Sequence, residues 1–138
     1  MRVAVILAFL SLAAPAAAQR QKLDTLTPAQ AISRAAAASP KPVRAVFELK
    51  VANAAKSRGG YYLDSERNFR SPANLGIVVR PSAMPGLTKK YGTDLKSALV
   101  GKTIKVIGQA RRISVGKSKT PTATEVEVTH AGQILSVS

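Results

Sequence analysis

The chain has 138 residues, no cysteine and a formal net charge of +14. This length suits one domain with a modest core, and the absence of cysteine excludes disulfides as a source of stability. Because Lys and Arg outnumber Asp and Glu by 21 to 7, the charge favours binding to polyanions. A basic proteome or selection for solubility would give the same total, so the positions of the charges matter more than their sum.

Residues 1–18 have the pattern of a cleavable signal peptide. Arg2 supplies the positive start, Val3 to Ala14 is a continuous apolar run, and Ala16 to Ala18 supplies the small residues of a cleavage site. The apolar run is shorter than the roughly 20 residues that a membrane-spanning helix needs. We therefore predict an exported protein, periplasmic or secreted, that begins at Gln19 and has no transmembrane segment after cleavage.

Residues 19–42 form a leader rich in Ala, Ser and Pro. Thr27 is a suitable helix cap, Pro28 suits the first turn, and Gln30 stands at the capping-box position. A short helix up to Ala38 and disorder are both compatible with this stretch. The leader has too little apolar surface to be a domain, so we place the folded domain at residues 43–138.

From Val43 onward the hydrophobic period becomes two, as in half-buried strands. The alternation predicts five strands, and residues 133–137 then close the end of the sheet. Residues 53–60 between the first two strands read as a basic loop, and residues 65–74 as a polar hairpin loop. The predicted strands are Val43–Val51, Tyr61–Ser65, Leu75–Arg80, Lys102–Ile113 and Thr124–Val128.

A short helical stretch separates the third and fourth strands. Leu87, Tyr91, Leu95 and Leu99 recur every four residues, which puts them on one helical face, and Gly92 is expected to interrupt the helix. Further along, the pair Arg111-Arg112 falls where the strand alternation slips, and this predicts a β-bulge. The resulting order, β-β-β-α-β-β, is that of a five-stranded OB-fold barrel, an all-β architecture suited to binding.

Two segments carry a resemblance to small exported bacterial OB-fold proteins, which are generally described as nucleic-acid-binding-like. One comprises Tyr62–Glu66, Phe69–Asn74 and Leu75–Val79, and the other is Leu99–Gly108. The resemblance covers roughly residues 43–138. It implies the OB-fold and a binding role, and it supplies no established ligand residues.

Ligands of OB-folds usually lie across strands two and three, between the loops that join strands one to two and four to five. Here both loops are basic, and further cations and two aromatic rings are expected on the outward side of the sheet. Lys and Arg neutralise and orient phosphates. The predicted polyanion-binding residues are Lys56, Arg58, Tyr62, Arg67, Phe69, Arg70, Arg80, Arg111, Arg112, Lys117 and Lys119.

Tyr62 and Phe69 are the candidate platforms on which bases could stack. Phe69 could equally plug the hairpin. Asp64 is expected on the same face as Tyr62, where it would repel phosphate. The pattern therefore favours electrostatic binding of a polyanion over a groove that tracks bases.

The sequence offers little support for catalysis. Its seven acidic residues are scattered, and His130 is its only histidine. No nucleophile motif, phosphate-binding glycine loop or dinucleotide fingerprint is present. We therefore predict a protein that is not an enzyme and has no catalytic residue, metal or cofactor.

Two functions remain open at this point. The first is an exported OB-fold module that binds single-stranded nucleic acid or another polyanion non-specifically through basic loops. The alternative is a cell-envelope protein-interaction module that recognises an acidic protein or an anionic lipid surface. A carbohydrate site is disfavoured, because the chain has no Trp.

Overall fold

A single sheet organises the computed structural model, which describes residues 22–114 and 122–138. This part of the chain contains one eight-stranded sheet and three α-helices. Because the sheet makes up most of the regular structure, the predicted all-β class is confirmed. The strands are β1 (Thr25–Leu26), β2 (Val43–Lys50), β3 (Asn53–Ser57), β4 (Gly60–Asp64), β5 (Leu75–Val79), β6 (Thr103–Ser114), β7 (Thr122–Val128) and β8 (Ile134–Val137). The helices are α1 (Pro28–Ala38), α2 (Met84–Tyr91) and α3 (Leu95–Leu99).

The strands pair in the order β1-β2-β6-β7-β5-β4-β3, and β8 adds to β6. The pairs β1–β2 and β5–β7 are parallel, and the others are antiparallel. The described strands form an open eight-stranded sheet, and no closed five-stranded barrel is present in their pairing. The difference from the prediction comes from three additional strands: β1 in the leader, β3 in the predicted first loop, and β8.

The sheet turns sharply between β2 and β3, which are separated only by Val51 and Ala52. The Val51 amide donates to the Lys102 carbonyl beside β6 at 2.9 Å. The Ala52 amide donates to the Asp64 carbonyl of β4 at 2.8 Å. Two consecutive amides thus bond to two different strand ends, one at the start of β6 and one at the end of β4. These two strand ends therefore approach each other at the bend.

The prediction of a loop over residues 53–60 is wrong. Asn53–Ser57 pairs with β4 as an antiparallel strand, and only Arg58 and Gly59 remain as a turn. The φ angles of these two residues are 45° and 82°, the double left-handed conformation of a tight hairpin. The segment contains few strand-favouring residues, but its backbone pairs with β4 and Ala54 is buried.

The bulge predicted at Arg111-Arg112 is also wrong. Both residues lie in a regular ladder with β7, opposite Glu125 and Thr124. The register shift of β6 lies instead between Lys105 and Val106, against β8. The alternation slips at the pair because this end of β6 leaves the core and both arginines are exposed.

The predicted helical stretch is confirmed, with the break at Gly92. This residue ends α2 with a φ of 92°, and Asp94 caps α3 by accepting a hydrogen bond from the Ser97 amide at 3.2 Å. Leu87, Leu95 and Leu99 are fully buried. The two short helices therefore present one apolar face to the sheet.

The leader contributes to the same packed unit as the sheet. Thr27 and Gln30 form a capping box at the start of α1, and Ala31 and Ala35 on this helix are fully buried. The helix packs against β2 and β6. Small alanine side chains allow this close approach, so the helix needs no large apolar residue to dock.

The core contains the residues that the strand alternation places inward, among them Phe47 and Tyr61. Val78 of β5 faces outward, yet it is only 5% exposed because it forms the floor of a groove. Over residues 22–114 and 122–138, no helix is long and apolar enough to cross a membrane.

Candidate functional site

The outward face of the sheet carries carboxylates at its centre. The strand register aligns Tyr62 of β4 with Val78 of β5, and Val78 with Glu127 of β7. The adjacent row runs from Asp64 through Gly76 to Glu125, and Glu125 is opposite Arg111 of β6. Asp64, Glu125 and Glu127 therefore share the face on which an OB-fold ligand is expected.

A groove of about 460 Å³ opens on this face, above Val78. Arg80 and Arg111 line it together with Glu125 and Glu127. The Arg80 Nε atom lies 3.1 Å from the Glu127 Oε1 atom, so this arginine is already paired. The groove therefore has mixed charge, and its affinity for a phosphate is reduced by its own carboxylates.

Two of these carboxyl groups have raised pKa values. Burial raises the pKa of Glu125, the nearby Arg80 lowers it, and Asp64 and Glu127 raise it further. Burial also raises the pKa of Asp64, and hydrogen bonds from Asn74 and Asn53 offset part of that effect. The sequence indicated only Asp64 as an unfavourable charge, because the alignment of β7 with β5 depends on a long-range parallel pairing.

Asn74 is the structural centre of the loop that joins β4 to β5, residues 65–74. Its Nδ2 atom donates to Asp64 Oδ1 at 3.0 Å and to the Phe69 carbonyl at 3.3 Å. Its Oδ1 atom accepts from the Glu66 amide at 3.1 Å. Because Asn74 is only 8% exposed, these bonds are shielded from water. We call this loop, residues 65–74, the β4–β5 hairpin loop.

The rest of the β4–β5 hairpin loop is also internally bonded. Asn68 Oδ1 accepts from the Arg70 amide at 3.0 Å, and the Asn68 carbonyl accepts from the Ser71 amide at the same distance. The Ser71 carbonyl then accepts from the Asn74 amide at 3.0 Å. Local bonds of this number fix the loop backbone and therefore the points from which its exposed side chains project.

Phe69 projects from the β4–β5 hairpin loop with 58% of its side chain exposed. It therefore does not plug the hairpin, which was one of the two interpretations of the sequence. The Arg70 guanidinium carbon lies 5.3 Å from the centre of the Phe69 ring, within the range of a cation–π contact. The aromatic ring and the positive charge form one exposed unit.

A second groove, of about 360 Å³, lies where the β4–β5 hairpin loop meets the bend between β2 and β3. Lys50 and Arg67 flank it, and Val51, Ala52 and Val100 give it an apolar component. No carboxylate lines this groove in the described part of the chain. We call it the Lys50–Arg67 groove.

The residues predicted from the first loop do not lie together on the outward face. Lys56 is opposite Tyr61, whose side chain is buried, and its charge acts on Asp94 at the start of α3. It therefore lies on the helical side of the sheet. Arg58 occupies the tip of the turn, and Tyr62 is 38% exposed on the outward face.

The two arginines of β6 diverge. Arg111 faces outward beside Glu125, whereas Arg112 points to the other side and donates from Nε to Thr122 Oγ1 at 3.0 Å. Lys117 and Lys119 lie outside the described residues. The predicted set is thus spread over at least three surfaces: the outward face, the β4–β5 hairpin loop and the side of the helices.

Gln133 secures the edge of the larger groove, and the sequence offered no signal for it. Its Nε2 atom donates to the Ile107 and Glu127 carbonyls, each at 3.0 Å. Its Oε1 atom accepts from the Thr129 amide at 2.8 Å and from the His130 amide at 3.1 Å. A Cβ at Gly108 would lie 3.4 Å from Nε2 and 2.9 Å from the Val126 side chain, so the glycine makes room for this bridge.

No group of three or more His, Asp or Glu side chains in residues 22–114 and 122–138 is arranged to hold a metal ion. Every Lys and Arg in these ranges is exposed. Among them, only Arg34 and Arg80 lie within 4.0 Å of a carboxylate oxygen. The described surface therefore presents many cations that have no close anionic partner.

The fold is similar to part of two aminoacyl-tRNA synthetase structures. A protein assigned as an aspartyl-tRNA synthetase from Leishmania major Friedlin aligns with a TM-score of 0.50 and 10% identity, covering 80% of this chain and 20% of that chain. The aspartyl-tRNA synthetase from Entamoeba histolytica aligns with a TM-score of 0.49 and 13% identity, covering 81% and 22%. This chain thus spans about a fifth of the length of these synthetases. No family model matches the sequence, and no curated protein matches it.

Proposed function

We propose that the chain is an exported OB-fold module that binds single-stranded nucleic acid or another polyanion with little sequence preference. In this proposal, β2 and β3 act as one strand that bends at Val51 and Ala52, because its halves pair with β6 and β4. That bend supports a partly open, five-stranded barrel of β2/β3, β4, β5, β6 and β7. The likeness at a TM-score of 0.50 supports the fold.

The observation that carries the function is the state of the cations. Every Lys and Arg in the described ranges is exposed, and only two are within 4.0 Å of a carboxylate. Exposed cations of this kind release counterions from a polyanion when they bind it, which is the main source of non-specific affinity for nucleic acids. The name of the similar synthetase specifies a tRNA substrate, and this favours nucleic acid among the polyanions.

The proposal is one of binding without catalysis or a cofactor. Two of the three carboxylates of the outward face are engaged in structural contacts, since Asn74 donates to Asp64 and Arg80 is paired with Glu127. Export is part of the proposal because of the signal-like pattern of residues 1–18. The mass of the protein recovered from the exporting cell would test this, and we expect a chain that begins at Gln19.

The binding proposal is tested by titrating the exported protein with a labelled single-stranded 12-mer over a series of salt concentrations. We expect the logarithm of the association constant to fall linearly with the logarithm of the salt concentration, and similar constants for different base compositions. A control protein of similar size with a net charge near zero should not bind. Affinity that is insensitive to salt, or no binding at low salt, would contradict the proposal.

A further inference from the structure

The outward-face groove and the Lys50–Arg67 groove differ in their suitability for a phosphate. The larger one, on the outward face, contains two glutamates and has one of its arginines paired at 3.1 Å. The Lys50–Arg67 groove has two cations and no lining carboxylate. Since an anion is repelled by carboxylates and attracted by unpaired cations, the smaller groove is the better phosphate site.

An aromatic platform belongs to the same loop as Arg67. Phe69 lies two residues after Arg67 and is 58% exposed. Its backbone is fixed because its carbonyl accepts a hydrogen bond from the buried Asn74 side chain. The Arg70 guanidinium lies over one face of the Phe69 ring, 5.3 Å from its centre, so the opposite face is the one on which an unpaired base can stack. Bases in a duplex are already stacked and paired, so such a platform selects a single strand.

We infer that single-stranded nucleic acid binds along the β4–β5 hairpin loop, with a phosphate between Lys50 and Arg67 and an unpaired base on Phe69. This inference rests on the proposed function and adds the location and the strandedness of the ligand. The bound strand follows the bend between β2 and β3 and does not cross β4 and β5. The carboxylates Asp64, Glu125 and Glu127 keep phosphates away from that central face.

The phosphate site is tested with the full exported chain and the double variant Lys50→Gln/Arg67→Gln. A matched control, Arg44→Gln/Lys89→Gln, removes one arginine and one lysine that do not line the groove, and Arg44 lies about 20 Å from Lys50 along β2. The probes are a thymidine 12-mer, an abasic strand of equal length, the corresponding duplex, and vesicles with anionic headgroups.

If each groove cation contacts one phosphate, the salt slope for both single strands should become less steep by about 0.7 per cation in the groove variant. The salt slope of the control variant should differ from that of the parent protein by less than about half of the change expected for the groove variant. Equal effects of the two double variants would overturn the phosphate site. Tighter binding of the duplex than of the thymidine strand would overturn the single-strand assignment, and tighter binding of vesicles would overturn the choice of nucleic acid.

The stacking site is tested with Phe69→Leu, which keeps an apolar side chain but removes the aromatic face. We expect thymidine-strand affinity to fall by about five-fold or more, with an unchanged salt slope. The abasic strand should bind the variant and the parent equally. A similar loss with the abasic strand would overturn the stacking role.

The absence of Trp from the chain allows an independent readout. Phe69→Trp introduces a single tryptophan at the platform, and Leu135→Trp places one on β8, where Leu135 is 50% exposed. The thymidine strand should quench the first and leave the second unchanged. If the parent shows no salt-dependent binding, the proposed function fails together with this inference. If it binds but all these variants behave like their controls, the inference alone fails.

Discussion

Asn74→Ala should destabilise the protein more than any other loop substitution in residues 65–74. The side chain makes one hydrogen bond to a buried carboxylate, at 3.0 Å, two to backbone groups, at 3.3 and 3.1 Å, and a long one to the Ser65 hydroxyl, at 3.5 Å. A bond to a charged group contributes about 1.5–3 kcal/mol and a neutral one about 0.5–1.5 kcal/mol. We expect the free energy of unfolding to fall by about 3–5 kcal/mol, a large fraction of the roughly 5–15 kcal/mol that a domain has.

The loss should also depend on pH, for a reason that the structure makes explicit. Asn74 lowers the pKa of Asp64 against the opposing effect of burial, so its removal raises that pKa further. A raised folded-state pKa means that stability is retained at low pH and lost as pH rises through it. The difference between the parent and Asn74→Ala should therefore be larger at about pH 7 than at about pH 3.

Urea unfolding followed by circular dichroism at both pH values measures this difference, and similar m-values would show that the same surface is exposed. Asn68→Ala is the control, because its exposed Oδ1 accepts a single bond from Arg70. We expect it to cost less than about 1 kcal/mol. A cost for Asn74→Ala no larger than this, or one that does not change with pH, would refute the reasoning.

Two further substitutions test the outward face. Gln133→Ala removes the bridge between the Ile107 and Glu127 carbonyls, so we expect the free energy of unfolding to fall by about 1–3 kcal/mol. The control substitution of exposed Gln109→Ala should change this free energy by less than about 0.5 kcal/mol. Equal effects of the two substitutions in a urea titration would argue against the bridge. Because burial raises the pKa of Glu125, the parent loses stability as pH rises through that value, and Glu125→Gln should remove this loss. Its stability relative to the parent should therefore be greater at about pH 7 than at about pH 4, and unfolding curves that show no such trend would contradict the assignment.

Local patterns were sufficient for most of the elements. Residues that alternate along the strands, such as Phe47, and residues four apart, such as Leu95 and Leu99, identify buried faces because the core imposes those periods. Gly92 was correctly placed as the helix break. The failures occurred where burial no longer sets the pattern. Asn53–Ser57 became β3 because it pairs with β4, and the Arg111-Arg112 pair extends beyond the core in a regular ladder.

The candidate site was less predictable, since it depends on which strands become neighbours. The parallel pairing of β5 with β7 brings Glu125 and Glu127 beside Val78, and no pattern within β7 reveals this. The hydrogen bonds of Gln133 likewise join residues 3 to 26 positions away. Such contacts follow from the topology of the sheet. The sequence therefore shows which residue types are present, but it does not predict which of them become neighbours in the fold.

Charge placement on the sheet also gives the proposed polyanion ligand a preferred path over a very basic protein. If only the total of +14 mattered, a strand would have no preferred path over a surface on which every described cation is exposed. The carboxylates on the central face introduce a local barrier, and the buried position of Asp64 requires a loop that hydrogen-bonds it. Asn74 meets that requirement and, by donating to the Phe69 carbonyl, also fixes the backbone from which the exposed ring projects. The residue that stabilises the acidic centre is thus the same one that orients the proposed stacking platform, which links the repelling and attracting parts of the surface through one side chain.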